Sequence, residues 1–433
     1  KKEKNMKKQK KDIFIVGLAL FGSYFGAGNL IFPPLLGFIS GSQWSLAAIG
    51  FCVSAVLMPV VGLYVISKNG GSLEAMTEDI HKNFAKFLLL FIMLFAGNIS
   101  VPRTGAVAYE LGFKALFPGV PIIVFIIGYF AIALYFSLDV SKMINKVGKF
   151  LTPVLVVVLL GIIIKGVLTP VGSPIAPQQT GVFTHSFLEG YQTGDLIVSY
   201  LIGTVFIGDI IHRGYKTSGE RNKLTAYCGV IALILLAVIY VGLIYLGASV
   251  SSYYPKDIER SQLLLGIAER VLGKNGMLFL SIAVVLACVT TAIGQITSIA
   301  NFFHDFSNGK IPHKLAALVF AVLGATIAVL GVEKIIYFAT PIYKGVYPSL
   351  IVLMILGIFR KYIPNKQSFR YALVFTLVVS ILEAILSVAD IAIIKAFVDL
   401  LPLSGLGFAW FLPATLGFII GAVKGKDPLT QFE

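Results

Sequence analysis

The residues best suited to chemistry lie in one stretch near the start of the chain: Gly22-Ser23-Tyr24-Phe25-Gly26-Ala27-Gly28-Asn29-Leu30-Ile31-Phe32-Pro33-Pro34. They fall in the middle of an apolar run over 13–39, which would be about 40 Å long as one helix. Gly26 and Gly28 weaken a helix there, Asn29 is a favoured helix N-cap, and the two prolines belong near a helix start, where their missing N–H groups lose nothing. The expectation is two half-helices separated by an unwound link at about 25–29. Such a link frees N–H groups at the start of the second half, where the helix dipole favours an anion such as a carboxylate. It also frees carbonyls at the end of the first half, which suit a cation such as sodium. The alternative is that Gly22-x-x-x-Gly26 is a small-residue packing face and the prolines only kink the helix.

If the architecture repeats itself in inverted form, a matching break belongs five helices later. Residues 187–211 read FLEGYQTGDLIVSYLIGTVFIGDII, with glycines at 190, 194, 203 and 208. Gly203-Thr204 near the centre is the preferred link and Gly194 is its competitor. Charges in apolar helices need a reason as well, because one at the centre of a membrane helix costs about 2.5–3.5 kcal/mol. Arg103 and Glu110 lie two turns apart on one helical face, Lys344 falls near the middle of an apolar run, Asp195 and Asp209 bracket 187–211, and Glu383 lies in a later run. Arg103 and Lys344 are expected in a polar network of the external vestibule, with Glu110 or Asp195 as partners. The bland alternative, structural ion pairing between helices, is preferred for Glu383.

The elements that must hold these residues follow from composition. Of the 433 residues, 57% are hydrophobic and 13% charged, against about 45–50% and 25% in soluble proteins. That is too little charge to cover a water-facing surface. Cys52, Cys228 and Cys288 lie in apolar runs and are odd in number, which excludes a disulfide scaffold. The wealth of Phe, Ile, Leu and Val excludes disorder. A bilayer core about 30 Å thick needs roughly 20 apolar residues of helix. Twelve segments qualify: 13–39, 44–67, 87–111, 119–138, 150–168, 187–211, 224–248, 276–303, 315–332, 335–359, 371–389 and 402–423. In the loop over 249–275, residues 261–272 have helical spacing and are expected to form a short surface helix.

With the N-terminus in the cytoplasm, most Lys and Arg fall on the inner side: in the tail and in the loops near 68–86, 142–149, 213–223, 310–314, 360–370 and 424–426. The outer side has Lys114, Lys165, Lys256, Arg260, Arg270, Lys274, Lys334 and Lys395. This asymmetry obeys the positive-inside rule, so the net charge of +14 reflects topology and anionic lipid, not nucleic acid. The basic start followed by an apolar run has the opening of a signal peptide, but the run to residue 39 is too long for one.

The motifs FGAGNLIFPP in the first segment, NISVPRTGAVAYE over 98–110 and ACVTTAIGQ over 287–295 resemble the bacterial branched-chain amino acid:cation symporters, the LIVCS-type carriers of the amino acid–polyamine–cation superfamily. The resemblance covers essentially the whole chain, and the first motif is its most specific part. It implies an all-α polytopic protein of the LeuT-type fold, with two inverted five-helix repeats, two C-terminal helices, and breaks in helices 1 and 6. The corresponding divisions are a basic cytoplasmic tail at 1–11, a first repeat at 12–168, an external loop at 169–186, a second repeat at 187–359, helices 11 and 12 at 360–423, and a cytoplasmic tail at 424–433.

By the same resemblance, Gly26, Ala27, Gly28 and Asn29 hold the substrate carboxylate, with Gly203 and Thr204 at the second link. Sodium is bound by the carbonyls of Gly22, Phe25 and Ala287 and the hydroxyls of Thr290 and Thr291. Sodium prefers hard oxygen ligands, and these hydroxyls lie one turn beyond a carbonyl on the same helix. The alternative for both threonines is ordinary bonding back to the preceding turn. Proton-coupled relatives can carry a lysine in helix 5 where sodium would lie. Here 150–168 has no charge between Lys149 and Lys165, at its two ends, so sodium is favoured over protons.

The function implied is secondary symport of leucine, isoleucine and valine by alternating access in a bacterial plasma membrane, with both termini cytoplasmic. Proton coupling, or another neutral amino acid in the same fold, is the alternative. An enzyme is not expected: His81, His185, His212, His304 and His313 fall in loops or at span ends and show no metal-ligand spacing, and no phosphate-cradling loop is present. A channel would require a filter repeat or rings of one charge. Beyond the amino acid, sodium and the lipid bilayer, no organic cofactor, nucleic acid or obligatory protein partner is expected.

Overall fold

The computed structural model describes residues 2–26, 29–138 and 143–430. Among the described residues every regular element is helical. The order is α1 (Lys2–Tyr24), α2 (Phe32–Ser40), α3 (Trp44–Cys52, continuing through a π-turn at Val53–Leu57 into Met58–Lys68), α4 (Leu73–Thr77) and α5. The last of these runs as Phe84–Leu116 through π-turns at Ala96–Ser100 and Ala108–Phe113. Then follow α6 (Ile122–Ser137), α7 (Met143–Leu168), α8 (Val182–Glu189), α9 (Asp195–His212), α10 (Ser218–Ser249), α11 (Arg260–Phe306), α12 (His313–Ala328), α13 (Val332–Ile358), α14 (Lys366–Leu386), α15 (Ala392–Asp399) and α16 (Phe411–Lys424).

Among the described residues seven helical stretches are long and apolar enough to cross a membrane, including Phe32–Lys68, Phe84–Leu116 and Ser218–Ser249. Shorter apolar helices include Ile122–Ser137, His313–Ala328 and Phe411–Lys424. Large side chains such as Phe14, Ile127, Val205 and Ile393 remain exposed on the outside of the bundle, as expected where lipid replaces water as the solvent. Sequence and structure differ at the last segment: 402–410 holds only a short tight turn at Ser404–Leu406, and regular helix starts at Phe411. Gly407 lies in the left-handed region at φ 76°, which stops the helix from extending backwards. The loop helix expected at 261–272 is present as the first part of α11. Gly273 (φ 75°, ψ −177°) separates it from the rest of α11, and its apolar face is buried at Leu263, Leu264 and Ile267.

The two half-helices at the start of the chain are held by α10. α2 crosses α10 so closely that a Cβ on Gly37 would lie 1.7 Å from the Ile244 carbonyl oxygen, and one on Gly247 would lie 1.9 Å from that of Pro34. Only glycine fits at either point, and the contact fixes α2 against the bundle. α1 packs along the other half of α10, with Gly17 lying over Ile231. At one end of the bundle Asp79, 1% exposed, anchors three parts of the chain: Arg360, Lys366 and the backbone N–H and hydroxyl of Thr430. Burial lowers Arg360 below the ordinary arginine range, and the charges of Asp79 and Glu78 oppose that shift.

Candidate substrate site between two helix breaks

Two of the helix interruptions meet, one after α1 and one before α9. α1 stops at Tyr24. The Phe25 N–H still donates to the Phe21 carbonyl at 2.8 Å, and the Gly26 N–H folds back on Tyr24 at 3.0 Å. The Asn29 N–H reaches the Gly26 carbonyl at 2.9 Å, and α2 starts at Phe32 with proline in its first turn. Ala27 and Gly28, both assigned to the substrate site by resemblance, lie outside the described residues. Asn29 is not the N-cap of α2: that position belongs to Ile31, which makes no side-chain cap bond. Residues 29–31 still turn tightly, so the helix starts later and the Asn29 side chain is free to bridge elsewhere.

The second interruption separates α8 from α9. Gly190–Thr193 wind into a tighter 3-10 turn, and Gly194 takes the left-handed conformation (φ 75°, ψ 6°) before α9 starts at Asp195. A side chain would be strained there, and a Cβ would lie 3.0 Å from the Tyr343 hydroxyl. The preferred link at Gly203-Thr204 is therefore corrected to Gly190–Gly194. Both residues lie inside uninterrupted α9. Gly203 serves close packing, since a Cβ there would lie 2.3 Å from Ile66 Cδ1, and Thr204 accepts a hydrogen bond from the Leu73 N–H at 3.3 Å. A glycine can mark either a crossing or an unwinding. Here the polar run Gln192-Thr193-Gly194-Asp195 marks the unwinding.

Asn29 joins the two breaks. Its amide nitrogen donates to the Tyr24 carbonyl at 3.2 Å, to the Asp195 carboxylate at 3.1 and 3.3 Å, and more distantly to the Tyr240 hydroxyl at 3.5 Å. Asn29 is 4% exposed and Asp195 2%. The Tyr24 hydroxyl lies 2.9 Å from Ser199 Oγ, one turn further along α9. The Tyr347 hydroxyl accepts the Leu196 N–H at 3.2 Å, and its ring stacks on Tyr191 with centroids 4.4 Å apart. The second break thus spends one backbone N–H on a buried tyrosine, Tyr347, while at the first the Tyr24 carbonyl is met by the Asn29 side chain; sequence reasoning missed these tyrosines. The available signal was a tyrosine hydroxyl in mid-helix among aliphatic neighbours, a position that demands a partner.

Arg103 is buried beside this centre. Its guanidinium donates to the Gln192 carbonyl at 2.7 Å, within the second break, and lies over the Phe32 ring of α2 at 5.6 Å. Gln192 donates in turn to Thr340 Oγ1 of α13 at 2.7 Å. Glu110 does not join Arg103. It accepts from Ser261 Oγ at 2.6 Å and from the Val332 N–H at 2.9 Å, at the end of the bundle formed by the 260–272 helix. There Arg260 pairs with Glu189 at 2.9 Å and with Glu333, and its guanidinium also lies over the Phe32 ring, at 5.8 Å. This cluster ties α8, α11 and α13 together next to Phe32 of α2. Among the described residues Lys344 forms no ion pair with Glu110 or Asp195.

Of the residues assigned to sodium by resemblance, Ala287, Thr290 and Thr291 lie together on α11. Both hydroxyls donate to the Ala287 carbonyl, at 3.0 and 2.8 Å. This is the back-bonding arrangement, and each hydroxyl keeps lone pairs that could face a cation. Gly22 lies on an exposed face of α1, whereas Phe25 is buried.

Comparison with known proteins connects this geometry to transport. The solved structure of MhsT in complex with L-phenylalanine superimposes with a TM-score of 0.56 at 16% identity, covering 94% of this chain and 98% of that one. Mhp1, a nucleobase-cation-symport-1 family transporter in a closed conformation with bromovinylhydantoin bound, gives 0.63 at 13% identity, covering 95% and 91%. Both likenesses support the LeuT-type fold. The branched-chain amino acid permease BraB of Bacillus subtilis (strain 168) is 32% identical over 425 residues, 95% of each chain, and BrnQ of the same organism is 31% identical over 95% of this chain and 96% of its own. The branched-chain amino acid transport system 2 carrier protein of Pseudomonas aeruginosa is 28% identical over 95% of each. Residues 9–427 match the family described as branched-chain amino acid transport protein. The chain therefore belongs to the branched-chain amino acid transport protein family and is a multi-pass membrane transporter, not an enzyme.

Proposed function

We propose that the protein imports leucine, isoleucine and valine across the bacterial plasma membrane together with sodium, by alternating access. The observation that carries this reading is the meeting of the two helix breaks at Asn29 and Asp195, which puts unpaired backbone and buried polar side chains at one point inside an apolar bundle. Irregular backbone at membrane depth is tolerated where it lines a binding site. On this reading the link at 26–29 takes the substrate carboxylate. Read in twelve passes as two inverted five-helix repeats plus two helices, with α1–α2 as the first pass and α8–α9 as the sixth, the chain has both termini in the cytoplasm and the 260–272 helix outside.

Sodium at the carbonyls of Gly22, Phe25 and Ala287 and the hydroxyls of Thr290 and Thr291 would tie α1 to α11 and organise the neighbouring site. Its greater affinity for the outward state supplies the coupling free energy. Thr291→Ala should raise the sodium concentration for half-maximal uptake about tenfold with little loss of expressed protein. An unchanged sodium requirement would count against this site. The Arg260 cluster then closes the external side. Arg260→Gln leaves Glu189 and Glu333 unpaired in the closed state, so uptake should slow about tenfold while equilibrium leucine binding persists, because partly exposed pairs contribute modestly. Undiminished uptake would remove the cluster from the cycle.

The test of the whole reading is uptake of labelled leucine into proteoliposomes under an inward sodium gradient without a pH gradient, with a panel of competing amino acids. Accumulation that needs sodium and is competed by isoleucine and valine supports it. Accumulation that follows a proton gradient instead selects the proton-coupled alternative.

A further inference from the structure

Two buried cations use the same ring. Phe32, the first residue of α2, is 0% exposed. The Arg103 guanidinium lies over its ring at 5.6 Å from the centroid, and the Arg260 guanidinium at 5.8 Å. Both fall within the roughly 6 Å over which the negative face of an aromatic ring attracts a cation. The two arginines come from different helices, Arg103 from α5 and Arg260 from the start of α11. What they hold besides the ring is shared as well. Arg103 donates to the Gln192 carbonyl at 2.7 Å, inside the second break, and Arg260 pairs with Glu189 at 2.9 Å, at the end of α8. Each arginine thus contacts both α2 and the short stretch 189–192 that leads into α9.

Neither charge is fully met without the ring. Arg103 is 5% exposed and forms no ion pair among the described residues. Arg260 has two carboxylates, but its Nε is buried without a hydrogen-bond partner. A buried charge that lacks compensation is costly, and a desolvated cation gains more from an aromatic face than an exposed one does. A leucine at position 32 would keep the position apolar but offer no such face.

We infer that Phe32 is a positioning residue that couples closure at Arg260 to the second break at Gln192, by seating both guanidiniums on one ring. When α2 shifts, both arginines lose a partner together, so the outer cluster and the break open and close as one unit. This rests on the reading that the Arg260 cluster closes the external side, and it adds the residue through which that closure is felt at the break.

The experiment replaces Phe32 in the full-length protein with phenylalanine carrying one, two or three ring fluorines. Fluorine drains electron density from the ring face at nearly constant size. Leucine uptake into proteoliposomes should slow with each fluorine, by about tenfold at three, the scale of a desolvated cation–π contact. Phe32→Leu should slow it at least as much. With Phe32→Leu and Arg260→Gln combined, uptake should fall less than about threefold below the slower single variant, because both changes break the same coupling. A fluorine series without a trend, beside a slowed Arg260→Gln protein, overturns the inference: the ring then only fills space, and the result needs no variant of altered shape. A double variant whose loss is the product of the two single losses overturns it too, as that reports independent action. Undiminished uptake in Arg260→Gln alone refutes the closure reading itself, and the inference falls with it.

Discussion

An Asn29→Ala protein is expected to take up leucine at least about a hundredfold more slowly than the parent, per unit of folded protein. The side chain forms a hydrogen-bonding bridge between the carbonyl that ends α1 and the carboxylate that starts α9. Alanine removes both contacts in a site closed to water. A buried polar group left unpaired costs about 1–3 kcal/mol, and more when charged, and here a carboxylate and a carbonyl are both affected. The expected consequence is that the two breaks lose their common geometry. The effect should therefore exceed that of any change confined to one group. Uptake into vesicles, normalised to the monodisperse fraction recovered in size-exclusion chromatography, reads this directly. Uptake within threefold of the parent would mean that the bridge is only structural.

The second large effect concerns stability, not transport. Asp79→Ala should destabilise the folded protein by about 3–5 kcal/mol, the usual result of removing one partner from a buried ion pair. Asp79 is 1% exposed and is shared by Arg360, Lys366 and Thr430. Its loss takes the carboxylate away from the buried guanidinium of Arg360 and removes two of the bonds that hold Thr430. Thermal unfolding of the detergent-solubilised protein should show a transition lowered by several degrees, with Asp79→Asn falling between. A transition unchanged from the parent would assign the fold's cohesion at that end to apolar packing alone.

Much of the architecture could be read from the chain because membrane helices announce themselves. Runs such as 224–248 have no other way to satisfy their backbone in lipid. The first break was legible for a similar reason. Gly-x-Gly-Asn followed by Pro-Pro leaves few helical solutions, and α1 does stop at Tyr24.

The second break was harder. Four glycines were spread over one segment, and a glycine that permits close packing, as Gly203 does on Ile66, is indistinguishable by composition from one that adopts a left-handed turn, as Gly194 does. The polar neighbours Gln192, Thr193 and Asp195 would have separated them. Charge pairing was least legible. Arg103 and Glu110 share a helical face, yet one turns to the Gln192 carbonyl and the other to Ser261 and Val332, because partners come from helices far away in sequence. The tyrosines around the site escaped notice for the same reason: a hydroxyl in an apolar helix says that a partner exists, without saying where.

The amino acid is expected where the two interruptions meet. A density map of the full-length protein in lipid nanodiscs with leucine and sodium tests it most directly. Leucine density is expected between the 26–29 segment and the turn at Gly194-Asp195, with its carboxylate toward the former. Leucine density at any other place in the bundle, with Asn29 and Asp195 still bonded to each other and touching no solute, would contradict it.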